Sequence, residues 1–79
     1  MFVYILCRRS SNLLDKSSLQ VFSTFEKAKT DCLDYLHERK LRSTNLGEEM
    51  YDSYGRMYLY EDHIGNEFIF IERCELNIQ

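Results

Sequence analysis

Leu19-Gln20-Val21-Phe22-Ser23-Thr24-Phe25-Glu26 sets the architecture of this chain. Its first four residues form a short apolar run of strand character, and the next four read as a helix start. Ser23 stands as N-cap with Glu26 three residues on. At this capping-box spacing each side chain satisfies a backbone N–H that the first helical turn leaves unpaired. A strand therefore runs directly into a helix. The next residues agree: Phe25, Ala28, Cys32, Tyr35 and Leu36 recur on one stripe at the helical period, while Lys27, Lys29, Asp31, Asp34 and Glu38 lie largely off it. His37, Arg39 and Lys40 gather at the far end, where positive charge complements exposed carbonyls. The predicted helix spans about Thr24 to about Lys40.

Upstream, Phe2 to Cys7 is apolar at every position, with Phe2, Tyr4 and Leu6 on one side and Val3, Ile5 and Cys7 on the other. A strand apolar on both sides belongs in the middle of a sheet. The polar stretch Arg8 to Ser18 predicts a long hairpin loop, and Leu19 to Phe22 a short second strand. Downstream, Ser43-Thr44-Asn45 and Gly47 signal a break. Glu48-Glu49-Met50-Tyr51 predicts one helical turn within a surface loop that closes at Tyr54-Gly55, and connections this long often carry function. Arg56 to Asp62 reads as a third strand, with Met57 and Leu59 facing one way and Tyr58 and Tyr60 the other. His63-Ile64-Gly65-Asn66 is its turn, with Gly65 free to take positive φ. Glu67 to Leu76 is the fourth strand, apolar on both sides through Phe68-Ile69-Phe70-Ile71. The order ββαββ predicts an α+β domain: a four-stranded, mostly antiparallel sheet with one helix on one face.

Length and composition set the bounds. Seventy-nine residues make one small domain. A hydrophobic fraction of 44% and an aromatic fraction of 14% support a packed core. The leading apolar run has no basic residue before it and ends at Arg8-Arg9, too short for a secretory or membrane segment. The expectation is a complete, soluble, cytoplasmic chain with no membrane partner. Cys7, Cys32 and Cys74 form no paired framework, which suits a reducing compartment, and each reads as a small buried hydrophobe.

No chemistry-bearing pattern emerges. Cys7, Cys32, Cys74, His37 and His63 match no zinc spacing. Cys74 beside His63 would need the hairpin to bring thiol and base together, and the acids of Tyr60-Glu61-Asp62-His63 read as solvated groups at a hairpin tip. Gly47, Gly55 and Gly65 are too widely spaced for a phosphate loop. The expectation is a non-enzyme with no metal, cofactor or catalytic residue. A nucleic-acid regulator using Arg8, Arg9, Lys40 and Arg42 is the alternative. The charge balance disfavours it, because residues 41–79 carry three Lys/Arg against eight Asp/Glu.

The remaining clue is coverage. One helix shields one face of the sheet, and the strands apolar on both sides leave the other face bare, with Val3/Ile5 or Phe2/Tyr4, Tyr58/Tyr60 and Ile69/Ile71 as candidates. A contiguous apolar patch of that kind signals a partner. The predicted contact residues are Tyr51, Tyr54, Tyr58, Tyr60, Ile69 and Ile71, with Glu48, Glu49, Asp52, Glu61 and Asp62 as an acidic rim for a basic surface. The partner is another protein, a second copy of the chain, or both.

A strand at the very start, the small α+β layout, the tyrosines, the acidic balance and the lack of a catalytic signature together resemble the small accessory proteins of bacteriophages. That resemblance implies a non-catalytic inhibitor or modulator that binds a host enzyme or defence protein in the host cytoplasm.

Overall fold

The computed structural model describes residues 1–10, 18–43 and 48–76. Its elements are β1 (Phe2–Ser10), β2 (Ser18–Phe22), α1 (Phe25–Glu38), β3 (Arg56–Asp62) and β4 (Glu67–Glu75). The strands form one antiparallel sheet in the order β2-β1-β4-β3. This is the expected α+β arrangement, with the helix packed on one face. The two strands that are apolar on both sides, β1 and β4, are the central pair, in register from Phe2↔Glu75 to Ser10↔Glu67.

The helix begins one residue later than the capping-box spacing predicts. Thr24, not Ser23, is the N-cap: its backbone is extended and its Oγ1 accepts from the Lys27 N–H at 3.2 Å. This cap sets Phe25 at the first helical position, from which its ring enters the core at 6% exposure. Glu26 then stands in the first turn, where it cannot close a capping box but still complements the helix dipole. The helix ends at Glu38 rather than near Lys40. Lys40 takes a left-handed conformation (φ 57°), its N–H bonds to the His37 carbonyl at 3.0 Å, and the Leu41 N–H reaches the Leu36 carbonyl at 2.8 Å. This is a Schellman motif, sealed by Leu41 packing against the core.

The core lies between α1 and the sheet. Phe25, Ala28, Cys32 and Leu36 meet Leu6, Met57, Leu59, Ile69 and Ile71, none more than 6% exposed. Burying an aliphatic side chain of this size contributes about 1.5–3 kcal/mol. Tyr4, Phe22, Tyr35, Tyr51 and Tyr60 close the margins of this layer.

Other expectations are corrected. β1 continues through Arg8 and Arg9, because β4 is long enough to pair them with Ile69 and Phe68. The rest of the predicted hairpin loop, 11–17, and the break at 44–47 lie outside the described residues. Glu48 to Tyr51 forms no helical turn. Asp52 organises the turn into β3: its Oδ1 accepts from the N–H groups of Tyr54 (2.8 Å) and Arg56 (3.0 Å). Gly55 closes that turn at φ 76°, a conformation that L side chains rarely adopt. In the β3–β4 turn Asn66, not Gly65, takes positive φ. There the Asp62 carboxylate accepts from the N–H groups of Ile64 and Gly65.

Candidate docking surface

Register divides the sheet into two faces. On β1, Tyr4, Leu6 and Arg8 point to the helix, and Val3, Ile5, Cys7 and Arg9 point away from it. Partners across an antiparallel pair share a face. The open side therefore carries Leu19 and Val21 from β2, Phe68, Phe70, Glu72 and Cys74 from β4, and Arg56, Tyr58 and Glu61 from β3.

Ile69 and Ile71, expected on the open face, lie on the covered one, at 1% and 0% exposure. The run Phe68-Ile69-Phe70-Ile71 is apolar at every position, so its sequence could not tell which alternate residues met the helix. Phe68 and Phe70 take the open side instead. Tyr60 moves for a different reason. Tyr58 pairs with Phe70 and Tyr60 with Ile69, which leaves Leu59 as an extra residue in a β-bulge. Leu59 and Tyr60 consequently both turn to the helix layer, and of the strand's tyrosines only Tyr58 remains on the open side. No turn residue or proline marks this bulge in the sequence.

The open side has two unlike halves. Over β4 and β3 it covers itself. The Tyr58 ring lies against Phe70, tilted 37° to it with centroids 4.9 Å apart, and meets Phe68 edge-on at 6.4 Å, and His63 packs edge-on against Phe68 at 5.4 Å. The Arg56 guanidinium lies 4.9 Å from the centre of the Phe70 ring and is held there by Glu72, Nε to Oε1 at 3.0 Å. Phe70 is thereby only 3% exposed without any second layer. Over β1 and β2 nothing comparable lies across the apolar side chains among the described residues. Leu19 is 68% exposed and Val21 65%, with Val3 and Ile5 half-buried beside them. A shallow groove bounded by Cys7, Arg9, Leu19, Arg56, Phe70 and Glu72 runs between the halves.

The predicted acidic rim does not assemble around this surface. Asp52 and Asp62 hold turns. Glu49 accepts the Tyr51 hydroxyl at 2.7 Å, and Tyr51 packs edge-on against Phe25 on the helix side. There the Arg73 guanidinium lies against both the Tyr51 and Phe2 rings, 4.6 Å from each centre. Burial and the Glu49 hydrogen bond push the Tyr51 pKa up. Glu48 and Tyr54 are exposed in the same segment before β3. Of the predicted rim only Glu61 stands on the open face. The basic residues do not form one patch either. Alternation sends Arg8 to the helix side, over Tyr35 at 4.3 Å, and Arg9 to the other. Arg39 pairs with Glu67 at 2.6 Å, and Lys40 and Arg42 lie beyond the helix end.

The cysteines divide by burial. Cys7 and Cys32 are buried and Cys74 is exposed. Burial pushes the Cys32 thiol up to about 12, and Cys7 is raised by burial and by the nearby Glu72 charge. Both are poor nucleophiles. Among the described residues no three His, Cys, Asp or Glu side chains converge to hold a metal ion, and no helix is long and apolar enough to cross a membrane. No protein family, curated protein or solved structure matches this chain.

Proposed function

We propose that this chain is a non-catalytic protein-binding module whose open sheet face docks on a target protein and blocks it. The observation that carries the reading is the bare apolar strip of Val3, Ile5, Leu19 and Val21 on the side of the sheet away from the helix. Its neighbours suit an interface: an aromatic row at Tyr58 and Phe68, and flanking charges at Arg9 and Glu61. Aromatic and arginine side chains around an apolar centre are what interface cores favour. The general resemblance to phage accessory proteins suggests the kind of target, a host enzyme or defence protein in the host cytoplasm, with the module acting as its inhibitor or modulator.

The test is capture of partners from the native host by the wild type, by Ile5→Lys and by Tyr58→Ala, with circular dichroism to show that each variant is folded. The proposal expects one protein retained by the wild type and lost by both folded variants. Equal retention by all three, or retention of nothing, rejects it.

A further inference from the structure

The two edges of the sheet are treated differently. The β3 edge is occupied. Ser43 Oγ donates to the Leu59 carbonyl at 2.9 Å, the Asp52 N–H donates to the Arg56 carbonyl at 2.9 Å, and the Arg56 N–H returns to the Asp52 carboxylate. The bulge at Leu59 bends that strand further from a pairing geometry. β2, the other edge, has none of these devices. It contains no proline and no bulge, and among the described residues no hydrogen bond reaches its outer side. It is also the only described strand without a charged residue, Ser18-Leu19-Gln20-Val21-Phe22. Charged side chains on an edge are the usual means of preventing strand-to-strand pairing.

We infer that β2 pairs antiparallel with β2 of a second copy, joining two sheets into one of eight strands across a two-fold axis at Gln20. The register is set by the strand itself. A two-fold perpendicular to the sheet keeps like faces together and, centred on Gln20, pairs all five residues of β2. Leu19 then lies opposite Val21 of the second copy, and Val21 opposite its Leu19. The two most exposed apolar side chains of the strand become cross-strand pairs on the open face, and the two Gln20 amides meet on the helix side. A neutral strand brings no like charges together at the axis. The groove beside this edge, lined by Phe22, Glu26, Lys27, Thr30, Asp31 and Asp34, is acidic on balance, so the pairing rests on the strand edge and not on the helices. The inference holds whether or not the open face has a separate target, because the pairing uses the edge and leaves Ile5 and Tyr58 uncovered.

The test combines mass with cross-linking. The inference expects light scattering to give the wild type twice the 9.5 kDa chain mass at high concentration, with dissociation on dilution, and to give Gln20→Lys, which sets two ammonium groups face to face, the single-chain mass at every concentration. In a Cys74→Ser background, mild oxidation of Gln20→Cys should give a disulfide-linked dimer at least about tenfold faster than Glu61→Cys on the opposite edge, because opposite residues of a strand pair lie within disulfide reach. A monomeric wild type, a dimer that survives Gln20→Lys, or equal cross-linking at both edges overturns the inference. So does a β2 edge that pairs only with an added extended peptide.

Discussion

At the residue scale, the ends of the helix depend on a few side chains whose roles are separable. Thr24 Oγ1 satisfies the Lys27 N–H, and Ser23 bonds to no helical N–H. Thr24→Ala should therefore lower the unfolding free energy by about 1 kcal/mol, and Ser23→Ala should leave it within about 0.5 kcal/mol, both read by urea titration. The reverse ranking would return the cap to Ser23. Cys32 supplies a pH-dependent term. Its thiol is neutral in the core and resists ionisation up to about 12, against 9.0 for an ordinary thiol. The stabilisation is complete below pH about 9, where both folded and unfolded chains hold the proton. It is lost as pH rises toward 12, because the unfolded chain ionises first. Cys32→Ala should be less stable than wild type at neutral pH and lose less on going from about pH 8 to about pH 10.5. Urea midpoints at both pH values decide this, and parallel losses would remove the term.

At the element scale, the strands divide into structural and available ones. β4 lies between two partners and drives Ile69 and Ile71 into the helix layer, while β2 keeps Leu19 and Val21 in solvent. At concentrations low enough for the chain to be single, Ile71→Ala should cost about 2–5 kcal/mol, the range for a fully buried aliphatic residue, and Val21→Ser less than about 1 kcal/mol. Comparable losses under those conditions would mean that β2 is covered within the single chain. The helix and the strand positions were legible because their signals are local: periodicity, turn residues, a cap within one residue of its true place. The split of β4 into faces was not legible. Four successive apolar residues satisfy either orientation, and only the register against Leu6 of β1 and Met57 of β3 selects Ile71 for the core.

At the scale of the whole molecule, the open face is less bare than a count of apolar residues implies. Arg56, held by Glu72, lies across Phe70 and shields it, and Tyr58 closes the same ring from another side. Removing that cover should be visible without unfolding. Arg56→Ala should raise the fluorescence of a hydrophobic-surface dye while leaving the far-ultraviolet spectrum unchanged. Unchanged dye binding would show that Phe70 is buried by other means. The strip over β1 and β2 lacks such a cover, which places both the proposed target contact and the strand-pairing edge on the same half of the sheet.

Local spacing was enough to set the ββαββ order, the helix stripe and the central place of the two strands that are apolar on both sides. Each of these needs no more than a dozen neighbouring residues. Packing between distant segments selected the side of β4 that the helix covers, introduced the bulge that carries Tyr60 away from Tyr58, and parted Arg8 and Arg9 to opposite faces. It also turned the predicted acidic rim largely into turn and tyrosine partners. These outcomes depend on register between strands far apart in the chain. A one-residue shift in that register reverses the face of every side chain without changing any local preference.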